Sequence, residues 1–370
     1  MARRAVISLT VRLAQVAHSD TSVPSRSRSL ALGIWTYIAR RLVQSLLVLV
    51  LVSMGTFALA HAVPGDPIET VLGERAAGDP EIRAAAERRY GFDQPVHMQY
   101  VYFLRNLSQG DLGESISTRR PVMEDLRQFV PGTIELSISA MLFAMVVGVP
   151  LGILAALNQD RWPDNLARFV ALIGTSVPVF WLGLLALYLF FYRLQWLPGP
   201  GRLDTGMPIP ERITGMVTVD AALRGQWDVF RSSVMHLILP SIVLGSFALG
   251  IIARMLRSSL LAALGDDYVR TARAKGLAEN RVVAGHAMRN ALIPTITVLG
   301  LTFAGLLAGA VLTETIFSWP GIGRYSVQAA LKLDYPGLLG VTLFVAAVYV
   351  AVNFTVDIVY GILDPRIRIS

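Results

Sequence analysis

"ALIPTITVLGLTFAGLLAGAVLT", residues 291–313, carries no charged side chain over twenty-three positions. Wound as an α-helix it would be about 35 Å long, enough to cross the hydrocarbon core of a bilayer. Outward from it in both directions lie five more charge-free runs, at 42–63, 136–157, 169–192, 237–253 and 336–356. The chain has 370 residues, 54% hydrophobic and only 16% charged. Soluble core helices of this length would show a polar face, and a membrane barrel would show segments of about ten residues with alternating hydrophobicity. The pattern predicts an all-α membrane protein with six transmembrane helices, over about 40–63, 134–157, 167–192, 236–256, 291–315 and 337–361. Arg254, which ends the shortest run, is able to snorkel to the interface.

With a cytoplasmic amino terminus, six spans return the carboxyl terminus to the same side. The inner segments then carry a net charge of +11 and the outer segments −1, as the positive-inside rule requires. The basic balance is thereby explained by topology and by membrane lipids, with no call on nucleic acid. The chain contains no cysteine, so disulfide and thiolate chemistry are excluded. Its histidines, at 18, 61, 97, 236 and 286, show no metal-ligand spacing.

Residues 1–34 form a cytoplasmic extension, either disordered or a surface amphipathic helix, ahead of a membrane domain over 35–370. The outer segment 64–133 is long enough for structure of its own. Asp79-Pro80-Glu81 reads as N-cap, first position and first-turn acid of a helix ending at Gly91. A second helix runs from Pro95 to about Ser108 and stops at Gly110. Together they predict a helical cap over the outer mouth. "LPGPGRLDTGMPIP", residues 197–210, excludes regular structure. Gly148 and Gly152 in span two, and Gly305 and Gly309 in span five, are small-residue pairs that permit close helix packing. Pro150, Pro178 and Pro240 predict kinks.

Motors and catalysts are missing. The two lysines, Lys275 and Lys332, stand in no G-K-[ST] setting, so no phosphate-binding loop is available. No span pairs a serine with a histidine. An ion-coupled carrier wants ionisable groups near the midplane. Glu135 and Glu314 instead fall near the outer ends of their spans and Asp357 near an inner end, where packing roles are expected. Alternatively, Glu135 and Glu314 line an outward cavity on the translocation pathway.

What remains unexplained is "DDYVRTARAKGLAENRVVAGHAMRN", residues 266–290, within an inner loop over 258–290. Tyr268, Ala272 and Lys275–Gly276 share a helical face, with Asp266 and Arg270 an i,i+4 pair beside it. Gly276 suits the left-handed turn that ends this helix. A second helix from about Glu279 leads through Pro294 into span five. Ala272, Ala274 and Gly276 are small, as befits a place where another surface comes close. A stand-alone carrier or channel, or a membrane scaffold, are the competing readings.

"YVRTARAKGL" followed by "HAMRNALIP" resembles the coupling loop of ABC importer permeases, most closely the B-type subunit of dipeptide, oligopeptide and nickel importers. "RRLVQSLLVLVLVS", "VPGDP", "YGFDQPV", "GDLGES", "RPVMEDL", "LTETIFSWPGIGR" and "LDPRIR" extend the resemblance from about Trp35 to the carboxyl terminus. It implies a type I ABC importer permease fold in the bacterial cytoplasmic membrane. It also implies no ATPase site in this chain and no bound cofactor, ATP and Mg²⁺ being used by partners. Those partners are a C-type permease, two ATPase subunits or domains, and an extracytoplasmic binding protein that docks on 64–133. The coupling positions carried over are Asp267, Tyr268, Arg270, Thr271, Ala272, Ala274, Gly276, His286, Arg289 and Asn290. Arg270 stands where the general permease pattern has glutamate and Arg289 where it has proline, so the usual glutamate contact does not transfer. Di- or oligopeptides are the expected substrate, with nickel chelates, glutathione and opine-like compounds as alternatives.

Overall fold

The computed structural model describes residues 26–62, 78–90 and 94–363. The expectations for residues 1–25, for "VPGDP", for the stop at Gly91 and for most of "LDPRIR" lie outside them. Among the described residues there is no β-strand, only one bridge between Glu114 and Pro121. Five helices are long and apolar enough to cross a membrane, and a bent pair makes up to six.

Helix α1 runs over Arg26–Ala62, so it begins inside the stretch expected as an extension. Two short helices follow, α2 (Pro80–Tyr90) and α3 (Val96–Ser108). Asp79 caps α2 as its sequence requires, its Oδ1 accepting the Glu81 N–H at 2.9 Å. Gly110, at φ +76°, turns the chain beyond α3. Tyr100 of α3 shares a hydrogen bond with Ser53 at 2.9 Å and meets the Phe57 ring edge-on, which straps α3 to the side of α1.

The long central helices are α4 (Val122–Leu157) and α8 (Trp227–Gly265). Both overrun their apolar segments by several turns. Pro131, Pro150 and Pro240 lie inside them, and helix geometry continues on both sides of each. Pro178 behaves differently. The expected third span is broken there into α5 (Trp162–Ser176) and α6 (Val179–Ala186), the latter continued as π-helix over Leu187–Arg193, with a bend of 104°. Proline lacks an N–H and drives the preceding residue out of the helical region. Val177 accordingly sits at φ −80°, ψ 126°.

After α7 (Val217–Leu223) and α8 come α9 (Asp267–Ala274), a three-residue turn Glu279–Arg281, a π-helical stretch Val282–Ala287, and α10 (Met288–Gly309). Two short helices, α11 (Val311–Ile316) and α12 (Ile322–Leu331), precede α13 (Tyr335–Leu363).

Helix α8 is the axis of the molecule. Two-thirds of its apolar window (67%) is buried, against 11% for α1 and for α13. The core joins Leu136, Ala140 and Ala144 of α4 to Leu244, Ala248 and Ile252 of α8 and Leu306 of α10. Glycine makes this closeness possible. A Cβ on Gly148 would lie 3.2 Å from the Leu249 carbonyl oxygen, and one on Gly152 2.8 Å from that of Ala253. The first G-x-x-x-G therefore packs within the chain. Around Gly305 of the second there is open space.

Candidate functional site

The elbow between α8 and α10 is built from residues close in sequence. Leu256, Leu260 and Ala263, on the last turns of α8, receive Val269 and Ala272 of α9, and Val282, Ala287 and Ala291 close the cluster from the α10 side. The turns from Val282 to Ala287 widen to i→i+5 hydrogen bonding, with Val282, Val283 and Ala287 buried. Asp266, in extended conformation, stands at the N-cap position of α9 without a side-chain capping bond, and Asp267 places a negative charge in its first turn, where the helix dipole favours it.

Beyond Ala274 the chain turns through Gly276 at φ +79°. The Gly276 N–H reaches the Arg273 carbonyl at 2.9 Å and the Leu277 N–H that of Ala272 at 3.4 Å. These paired bonds form a Schellman termination, which glycine permits. The turn is stapled from outside: Arg273 donates to both carboxylate oxygens of Glu279, at 3.1 and 2.6 Å.

Arg270 pairs at 3.5 Å with Asp267 rather than with Asp266, because Asp266 is the N-cap residue and lies off the helical face. Ala272, expected to admit a foreign surface, is 6% exposed and faces the chain's own α8. The surface that α9 and the turn after it offer outward is made instead by Asp267, Tyr268, Arg270, Thr271, Ala274 and Gly276, with His286, Arg289 and Asn290 exposed further along. This exposed surface is mixed in charge, with Arg273, Lys275 and Arg281 also on it.

At the far end of the bundle Glu135 and Glu314 are enclosed. Glu135 is 3% exposed. It pairs with Arg202 and accepts the Thr218 N–H at 2.8 Å. The Arg202 guanidinium in turn lies 5.2 Å over the Trp319 ring, and Trp319 Nε1 donates to the Gly132 carbonyl at 2.8 Å. Glu314 accepts from Thr133 Oγ1 at 2.6 Å and from the Arg324 N–H at 2.9 Å. "WPGIGR" is thus a backbone wrap around a buried carboxylate: a Cβ on Gly321 would collide with it, and one on Gly323 would lie 3.0 Å from Oε2. Glu135 thus ties the chain at Arg202 and Thr218 to α4, and Glu314 ties α11 and α12 to it. Thr133→Val is expected to lower stability by about 2–3 kcal/mol, since it strips a donor from a buried carboxylate. The check is the thermal midpoint in detergent, with Thr133→Ser retaining the wild-type value.

Asp334, fully buried, accepts the N–H groups of Ile116 and Ser117, both at 3.1 Å, and of Gly337 at 3.0 Å, as well as the Ser115 hydroxyl. That fixes "GDLGES" against the start of α13. Asp220 anchors the irregular loop before α7. Burial pushes its pKa up, but the Thr214 N–H and hydroxyl and the Gly215 and Ile213 N–H groups outweigh this and hold it below the ordinary carboxylate value. None of these tertiary pairings has a local sequence signal. Among the described residues no group of three or more acidic or histidine side chains has the geometry to hold a metal ion.

Residues 148–369, which hold the elbow and both flanking helices, match the model of the binding-protein-dependent transport system inner membrane component. The chain belongs to this family. Residues 34–137 match the model of the amino-terminal part of the same membrane components. The permease is 48% identical over 333 residues to the di/tripeptide transport system permease DppB of Pseudomonas aeruginosa UCBPP-PA14, with 90% of this chain and 98% of the relative covered. It is 46% identical to the probable D,D-dipeptide transport system permease DdpB of Escherichia coli K12, covering 90% and 97%. Identity to the glutathione transport system permease GsiC of Salmonella typhimurium LT2 is 37%, covering 90% and 98%. The permease is thus an inner-membrane component of a binding-protein-dependent transport system.

Proposed function

We propose that this permease is the B-type, substrate-translocating subunit of an ATP-driven importer of di- and oligopeptides. Its six spans, counting α5 and α6 as one, form half of a shared pathway completed by a C-type permease. Both termini and the α9 elbow lie on the cytoplasmic side, consistent with the +11 charge of the inner segments. Two ATPase subunits or domains dock on α9 and use the ATP and Mg²⁺. A binding protein delivers substrate at the opposite face, where 64–133 contributes to its dock.

The observation that carries this reading is the elbow: a short amphipathic helix clamped by Val269 and Ala272 between the end of the central helix and the root of the next. A force on α9 is thereby delivered to two membrane helices together. Coupling demands that ATP-bound and ATP-free motors prefer different placements of α9, since equal affinity for both shifts nothing. The peptide assignment is supported by the higher identity to peptide permeases (42–48%) than to the glutathione permease (37%).

The test is uptake into proteoliposomes holding both permeases, the ATPases and the binding protein. Labelled di- and tripeptides are expected to enter only with ATP inside, and unlabelled peptides to compete at least tenfold better than glutathione or a nickel chelate. Uptake by the purified permease alone on an ion gradient would contradict the proposal.

A further inference from the structure

A buried charge cluster outside the elbow joins the start of α5 to α8. Asp164, in the first turn of α5, has a fully buried carboxylate. Arg257 of α8 grips it with two prongs, Nε to Oδ1 at 2.6 Å and a terminal nitrogen to Oδ2 at 2.7 Å. Arg168 donates to both oxygens from the next turn, and the Asp160 N–H adds a contact at 2.9 Å. Planar, two-pronged guanidinium–carboxylate pairing fixes orientation as well as distance. Arg257 stands one residue beyond Leu256, itself part of the elbow cluster.

Further along, α5 stays against α8 without a gap. A Cβ on Gly250 would lie 2.6 Å from the Ala171 carbonyl oxygen, and one on Gly174 would collide with that of Ser246. Arg254 donates to Thr175 Oγ1 at 3.2 Å. Two residues after Thr175 the helix breaks, at Val177–Pro178.

We propose that Asp164 is a positioning residue for transport: clasped by Arg257 and Arg168, it makes α5 and the inner half of α8 one rigid body, so that displacement of α9 is carried along α5 to the break at Val177–Pro178. This rests on the importer reading above. Removing the carboxylate takes away the acid that Arg257 grips, while Arg168 keeps its ion pair with Asp160 at 2.9 Å. In that case α9 still moves α8, while α5 lags behind.

The absence of cysteine makes a direct experiment possible in the full complex. Thr175→Cys and Arg254→Cys, introduced together and joined by a short bifunctional thiol reagent, lock α5 to α8. Peptide uptake after linking is expected to stay within twofold of the unlinked double variant. Asp164→Asn is expected to lower the peptide imported per ATP hydrolysed about tenfold, with ATPase activity retained. Asp164→Glu should recover part of that ratio. Loss of uptake on linking would show that α5 and α8 slide past each other and would overturn the proposal, as would an unchanged ratio in Asp164→Asn. Should Asp164→Asn not assemble, the linked pair alone decides. A complex whose unlinked variant and native form both fail to import peptide would count against the importer reading rather than against the role of Asp164.

Discussion

Ala272→Trp is expected to uncouple the transporter. The Ala272 side chain lies in the cluster that joins α9 to Leu256, Leu260 and Val282, so an indole has no room unless α9 lifts away. Overpacking of this kind typically costs about 1–3 kcal/mol. Here it falls on the joint itself, and peptide uptake should drop about tenfold or more while ATP hydrolysis by the companion subunits continues. Ala274→Trp is the informative contrast. Ala274 is exposed, so the permease's own thermal midpoint should stay within the effect of about 0.5 kcal/mol usual for surface changes. Any loss of uptake in that variant reports on docking of the ATPases, measured by co-purification. Normal coupling in Ala272→Trp, in an assembled complex, would remove the elbow from the mechanism.

The second large effect concerns the central helix pair. Gly245→Val is expected to destabilise the permease by about 3 kcal/mol, lowering the thermal midpoint in detergent by about 4 °C. The reason is geometric: a Cβ at Gly245 would lie 2.5 Å from the Ala140 carbonyl oxygen, a backbone atom that no rotamer change can move aside. Gly305→Val is the control. Nothing lies within 4 Å of its Cβ position, so the isolated chain should melt as wild type. If Gly305→Val impairs assembly with the second permease, the open G-x-x-x-G of α10 is an intersubunit contact, whereas that of α4 is spent inside the chain.

What the sequence made legible was local. Charge-free runs located the helices, Asp79 and Gly276 marked a cap and a turn, and the polar stretch before residue 291 announced the elbow. Helical spacing identified Ala272 as lying on a face but not which side that face serves, since period alone does not say whether a small residue packs inward or outward. Pro178 was legible as a disturbance, yet the difference between a kink and a 104° break depends on what neighbours each half, and Pro150 and Pro240 stay within continuous helices. The ties of Glu135 to Arg202, of Glu314 to Thr133 and of Asp164 to Arg257 span 67, 181 and 93 residues. A single sequence carries no periodicity or spacing that encodes such pairs. Gly174, Gly245 and Gly250 escaped notice for the same reason, because they do not form G-x-x-x-G pairs and reveal themselves only against the helix they meet.

The central claim is that α9 is a handle on the cytoplasmic surface, held by separate ATPases. Its most direct test is a single cysteine at exposed Ala274, in a chain that has no other, probed with a membrane-impermeant maleimide. In inside-out vesicles the stripped permease should label fully, bound ATPases should shield the site, and ATP should change the degree of shielding. Labelling from the outside of intact cells, or labelling indifferent to the ATPases, would contradict it.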